Sequence, residues 1–137
     1  MGGAEQKYVK EAFDTNWIAP IGPHIFDFEK KLSEISLNYN IAALSSGTAA
    51  IHLALILLGI THGDDVICSS FTFSASVNPI KYLDANPILI DSESDSWNMC
   101  PELLEVAIKE GISIKKKPKA IIVVHLYGMP AKIDKLM

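Results

Sequence analysis

The segment Ser45-Ser46-Gly47-Thr48-Ala49-Ala50 joins a short apolar run to a nearly all-apolar stretch of helix length. A turn placed this way at the end of a buried strand presents the first free N–H groups of a helix, and the positive end of its dipole, to the ligand crevice of an open α/β sheet. The chemistry it suits is anion binding. Gly47 lets the backbone approach closely, and the Thr48 hydroxyl adds a donor. The same residues also make an ordinary helix cap, with Ser46 or Thr48 satisfying N–H groups and no ligand present. Position and composition leave both open. The second and third glycines of the dinucleotide fingerprint are missing, and no Gly-Lys-Ser/Thr follows as in a Walker loop.

A second stretch, Ser69 to Asn78, places two aromatics and several hydroxyls after another strand-like run and before a helical one. An aromatic at this edge can stack on a planar ring, and a hydroxyl can join an anion cup. At least one of Phe71 and Phe73 is expected in the core. A third stretch, His125-Leu126-Tyr127-Gly128, closes the last strand-like run. A lone histidine there is more often a structural hydrogen-bonding group than a site residue. His24, His52 and His62 lack metal-ligand spacing, so no metal site is expected.

The elements that must position these stretches follow from periodicity. Tyr8, Val9, Ala12 and Phe13 recur at helical spacing within residues 5–15, an amphipathic helix expected to pack on something outside itself. Residues 16–23 (NWIAPIGP) carry two prolines and a glycine and are expected as an extended, ordered loop. A second helix is expected over residues 24–37. From Asn40 the rhythm changes to strand-length apolar runs at 41–44, 66–68, 88–90 and 120–124, alternating with helical stretches at 48–58, 74–83 and 101–109. Continuous apolar strands covered by crossover helices imply a three-layer α/β/α arrangement around a mostly parallel sheet. The expected division is residues 1–39, helices and loop, and residues 40–137, an incomplete α/β domain. The run 48–60 is too short to cross a bilayer and reads as a buried helix.

Composition narrows the partners. The 137 residues are 49% hydrophobic and 20% charged with a formal net charge of -4, which excludes a disordered tail and provides no basic field for nucleic acid or an anionic membrane. The lysines at 115, 116, 117 and 119 read as a solvated loop. Every basic residue is a lysine, so this stretch lacks the bidentate clamp that arginine places on carboxylates. Cys68 and Cys100 are too few for a disulfide scaffold, and the polar first ten residues hold no signal-peptide core. A cytoplasmic protein with reduced thiols is expected. The chain stops one short segment past a strand-like run, so a fragment of a longer protein is expected, and it is expected to self-associate through uncovered apolar surface.

Five segments now carry a resemblance. Asn16-Trp17-Ile18-Ala19-Pro20, Ser46-Gly47-Thr48-Ala49-Ala50, Gly63-Asp64-Asp65-Val66-Ile67, Phe71-Thr72-Phe73 and Val124-His125-Leu126-Tyr127-Gly128 occur here in the order and spacing of the DegT/DnrJ/StrS family. This chain resembles that family from Tyr8 onward. The family consists of pyridoxal-phosphate-dependent nucleotide-sugar aminotransferases of fold-type I, so the resemblance implies the partial large domain of that fold. It implies that Gly47, Thr48 and Ala49 cradle the phosphate of pyridoxal 5'-phosphate, that Phe73 stacks on its ring, and that Ser76 is the small hydroxyl residue near it. It implies that Trp17 borders the sugar-nucleotide pocket and that the full-length protein is a homodimer. Asn78 and His125 fall near the active site in the family pattern without an assigned contact.

The expected activity is transfer of an amino group, with L-glutamate as the expected donor, to a nucleotide-linked keto-sugar for polysaccharide, lipopolysaccharide or glycoconjugate synthesis. A pyridoxal enzyme needs a Schiff-base lysine and a carboxylate at the ring nitrogen. In the family both lie beyond the His-Leu-Tyr-Gly segment. Lys81, Asp91 and Asp134 do not match those positions, so no catalytic residue is expected here and this stretch alone is expected to be inactive. The alternatives are a pyridoxal-phosphate-dependent sugar dehydratase relative and a non-catalytic regulatory protein keeping the fold.

Overall fold

Three apolar runs pair side by side in the computed structural model, which describes residues 2–137. They are β1 (Asp65–Ser69), β2 (Asn86–Ile90) and β3 (Ala120–Ile122), in the order β2-β1-β3 and parallel throughout. Asp65 stands opposite Asn86 and Ser69 opposite Ile90, while Cys68 pairs with Ile122 on the other side. The central strand is buried at all five positions, its apolar middle Val66-Ile67-Cys68 facing cores on both sides of the sheet and the polar Asp65 and Ser69 at its ends. Parallel pairing has a direct consequence for function. The loops leaving β1, β2 and β3 all emerge at one edge of the sheet.

The two faces are covered by different helices. Val66 and Cys68 join Leu55, Ile60, Ile80 and Ala85 in one cluster, beneath α3 (Gly47–Leu57) and α4 (Asn78–Tyr82). Ile67 points the other way, to Ile90, Met99 and Leu104 beneath α5 (Pro101–Ser113), with α6 (Ile133–Leu136) beside it. The strand period of two thus divides one strand between two cores. Helix, sheet and helix make the three layers expected of the sequence.

Several elements differ from the sequence reading. Residues 41–44 form no strand, because a strand exists only through a ladder partner and neither sheet edge pairs with this segment. The helix expected over 74–83 is broken into a 3-10 turn, Ser74–Ser76, and the short α4, since Pro79 has no N–H to continue a ladder. α5 runs on to Ser113, and β3 stops at Ile122. The buried helix expected at 48–60 is buried along one face only: Leu55 is in the core, whereas Leu57 is 79% exposed. Apolar character all round a helix does not supply a partner all round it.

The basic run is tied down rather than free. Lys116 pairs with Asp65 at 2.7 Å and Lys119 with Asp64 at 2.8 Å, which pins the loop before β3 to the start of β1. The lysine hydrogen bond, with the Thr61 N–H behind it, holds the Asp64 carboxyl below its ordinary range. The cysteines are free thiols; burial pushes the Cys68 thiol up, which keeps it protonated.

Residues up to Ala43 form a compact unit of their own, distinct from Leu44–Met137. It holds α1 (Glu5–Asp14) and α2 (Pro23–Ile35), with Pro23 at the first turn of α2, where its missing N–H costs nothing. Neither helix buries a residue; Tyr8 meets His24 edge-on with ring centroids 5.4 Å apart. Between them the Trp17 indole N–H donates to the Ile21 carbonyl at 2.7 Å. A Cβ on Gly22 would lie 1.9 Å from the indole nitrogen, so this loop needs glycine there for close approach.

Candidate functional site

The start of α3 is a capped helix N-terminus. Ser46 adopts an extended conformation and its hydroxyl accepts from the Ala49 N–H at 3.1 Å, while its carbonyl accepts from the Ala50 N–H. Ser46 therefore performs the capping role that the sequence allowed. The cap leaves donors over. Among the described residues, the N–H groups of Gly47 and Thr48 donate to no protein acceptor, and a Cβ added at Gly47 would meet nothing within 4 Å. Two unspent donors thus stand at the positive end of an 11-residue helix, with free space beside Gly47.

The turn Ser74–Ser76 packs against α3, at the edge where β1 leaves the sheet. Ser76 is buried, and its hydroxyl is 2.8 Å from that of Thr72. Phe73 opens the turn and its ring is 80% exposed. Neither Phe71 nor Phe73 is a core residue, against expectation, because both leave the sheet before the next helix can cover them. Phe71 instead meets Trp97 edge-on, with ring centroids 6.0 Å apart. Gly47, Thr48, Ala49, Phe73 and Ser76 therefore belong to one unit of the chain, and Trp17 belongs to the other.

His125 follows β3 at the same edge. Its Nδ1 accepts the Ala131 N–H at 2.9 Å, a structural role at the end of the strand. Lys81 donates to the Ala85 carbonyl at 3.2 Å, just before β2 begins and so at the opposite edge from the Ser74–Ser76 turn. Asn78 is exposed at the start of α4, Asp91 accepts from the Ser70 hydroxyl at 3.3 Å, and Asp134 lies in the first turn of α6. Among the described residues, no group of three or more His, Cys, Asp or Glu could hold a metal ion.

The loop after β2 was not legible as part of this region. Residues 91–100 double back through an antiparallel bridge between Ser92 and Met99. Glu93 caps it by accepting from the N–H groups of Asp95 and Ser96 and from the Ser96 hydroxyl. Lys132 donates to Glu93 at 2.7 Å and to Asp95 at 2.9 Å, tying the loop to the segment after β3. The Lys132 ammonium and the Ser96 hydroxyl hold the Glu93 carboxyl down at about 2, and the Glu93 and Asp95 carboxylates push Lys132 up. A run such as DSESDSWN has no apolar period, so nothing in its pattern marks these long-range contacts.

A parallel three-stranded sheet with helices on both faces, and a helix start with unspent N–H donors packed against the turn that follows β1, defines an α/β protein. Over residues 1–137 the chain matches the model of the DegT/DnrJ/EryC1/StrS aminotransferase family, and it belongs to that family. It is 53% identical over 137 residues to EpsN of Bacillus subtilis (strain 168), named as a pyridoxal phosphate-dependent aminotransferase, covering 100% of this chain and 35% of the relative. It is 42% identical over 135 residues to a GDP-perosamine synthase of Escherichia coli O157:H7, covering 98% of this chain and 35% of the relative. A Streptococcus pneumoniae protein named as a sugar aminotransferase, solved in its PLP form, superposes with a TM-score of 0.83 at 33% identity, over 99% of this chain and 33% of that one. The same protein has been solved in its PMP form. The chain spans about a third of the length of the curated relatives it matches. The fold is the α/β fold of these aminotransferases, represented here by part of a domain.

Proposed function

We propose that this chain is the cofactor-phosphate part of a longer pyridoxal-phosphate-dependent aminotransferase. The longer enzyme transfers an amino group from an amino acid, L-glutamate in this reading, to a nucleotide-linked keto-sugar. The observation that carries the proposal is the pair of unspent N–H donors at Gly47 and Thr48, with free space beside Gly47, in a chain matched over its whole length by an aminotransferase family. A phosphate dianion fits this donor set, since it needs several N–H groups and gains from the helix dipole. Gly47, Thr48 and Ala49 hold the phosphate, Phe73 offers its exposed face to the ring, and Ser76 stands behind the turn that carries Phe73. When bound, pyridoxal phosphate supplies the carbonyl that takes up and hands on the amino group.

The chain's own residues bind and orient. The Gly47 and Thr48 N–H groups fix the phosphate end, and Phe73 limits tilt of a flat ring. Ser46, by capping α3, keeps those N–H groups aimed. None of these residues moves a proton; a lysine and a ring-nitrogen carboxylate are assigned to the rest of the longer protein. Trp17 is placed on the substrate side by resemblance. The product of this reading is an amino sugar for polysaccharide, lipopolysaccharide or glycoconjugate synthesis, made by a cytoplasmic homodimer. No helix among the described residues is long and apolar enough to cross a membrane.

The test is transfer of label. The full-length protein, given pyridoxal phosphate, L-glutamate carrying isotopic nitrogen and GDP-, UDP- and dTDP-linked keto-sugars, is expected to place the label on one of the nucleotide sugars. Label that stays on glutamate in every mixture contradicts the proposal.

A further inference from the structure

Asn98 is 2% exposed and spends its amide in three directions. Its Oδ1 accepts from the Leu126 N–H at 2.9 Å, and its Nδ2 donates to the Met129 carbonyl and to the Ser96 hydroxyl, each at 3.0 Å. One buried side chain therefore grips both ends of the turn Leu126–Gly128. That turn holds Tyr127 at φ 50°, and Trp97, next to Asn98 in the chain, is at φ 62°. A non-glycine residue in this left-handed region costs on the order of 1 kcal/mol or more and persists only where its surroundings hold it. Here the surroundings are the Asn98 bonds, the Lys132 pairs with Glu93 and Asp95, and the His125 bond to the Ala131 N–H.

The two strained aromatics share a cavity. Trp97 and Tyr127 line it with Phe71, Asp95 and Ser96, and its volume is about 490 Å³. Tyr127 is 94% exposed, so the turn that fixes its backbone presents its ring outside the core. The cavity opens at the edge where β1, β2 and β3 end, beyond Phe71 and not at the start of α3. Its chemistry is aromatic faces with a carboxylate and a hydroxyl. The Lys132 ammonium is already shared by Glu93 and Asp95, and the chain has no arginine, so the lining offers no spare cation to a carboxylate or a phosphate. A neutral hydroxylated ring suits it, with C–H faces on the aromatics and hydroxyls toward Asp95 and Ser96.

We infer that Asn98 is a positioning residue for a sugar-ring subsite made by Phe71, Trp97 and Tyr127, holding the 126–128 turn so that Tyr127 stands at the cavity. This rests on the proposed aminotransferase reading and names where the sugar of its substrate lies. Asn98 acts through the turn and touches no reacting atom.

The experiment uses the full-length holoenzyme and three variants: Asn98→Ala, Tyr127→Gly and the double variant. Glycine at 127 relieves the positive φ, so the fold is expected to survive in that variant even where Asn98→Ala is unstable. The probes are GDP-, UDP- and dTDP-linked hexoses, each compared with its free nucleoside diphosphate, and pyridoxal phosphate alone. For whichever nucleotide binds, both single variants are expected to weaken the hexose form at least tenfold. The free diphosphate and pyridoxal phosphate are expected to move less than twofold. The double variant is expected to match the weaker single one, the non-additivity of two residues acting as one device. Amide exchange at Leu126 is expected to quicken in Asn98→Ala. Variants that bind the hexose form as the parent does, equal losses for the free diphosphate, or additive losses would overturn the assignment while leaving the aminotransferase reading intact. A parent that binds none of the nucleotide hexoses overturns both.

Discussion

At the scale of single residues, the start of α3 divides a capping residue from a residue with a spare donor and free space beside it. Ser46 accepts from Ala49 and so caps the helix, while Gly47 leaves donors and space. Ser46→Ala is expected to lower stability by about 1 kcal/mol, read as a reduced denaturant midpoint with unchanged slope. Gly47→Ala is expected to leave that midpoint unchanged, since a Cβ there meets nothing within 4 Å. It is expected to weaken pyridoxal phosphate at least tenfold in the full-length protein by setting a methyl beside the free N–H groups. Equal affinity in an absorption titration would place the phosphate elsewhere. The Ser46 to Ala49 turn was legible because strand, cap and helix meet within a few residues. Asn98 was not, since its partners lie 28 and 31 residues along the chain and no local pattern reports them.

At the scale of elements, the contrast between β1 and residues 41–44 is instructive. Both are short apolar runs, yet only β1 has neighbours on both sides. Periodicity predicts the tendency to extend; pairing decides the strand. The break before α4 was present in the sequence at Pro79, and the helical spacing around it obscured that signal. The loop 91–100 yields a pH prediction. The Glu93 carboxyl is held at about 2 against an ordinary 4.5, chiefly by the hydrogen bond from Lys132. A lowered carboxyl contributes stability that is fully present above its unfolded value and is lost as pH falls through the folded one. Stability is therefore expected to decline between about pH 4.5 and pH 2, and the decline is expected to be smaller in Lys132→Met. Parallel pH profiles for the parent chain and Lys132→Met would contradict this.

At the scale of the whole molecule, the three-layer order was legible because buried parallel strands and crossover helices have separate periods. What covers the helices was not, because apolar residues alone do not identify their partner. Leu57, Leu58 and Phe73 are exposed on one unit, and Phe13, Ile18 and Ile21 on the other. Exposed apolar area on this scale favours association. The isolated 137-residue chain is therefore expected to sediment as dimers or larger species at high concentration, and a clean monomer would count against that. In the proposed function the full-length protein holds pyridoxal phosphate through the α3 start and uses it to take nitrogen from an amino acid. The most direct measurement is its visible absorption with pyridoxal phosphate before and after adding L-glutamate. A bound-cofactor band that shifts when glutamate is added is expected; a protein that binds no pyridoxal phosphate, or binds it with a spectrum indifferent to glutamate, would overturn the proposed function.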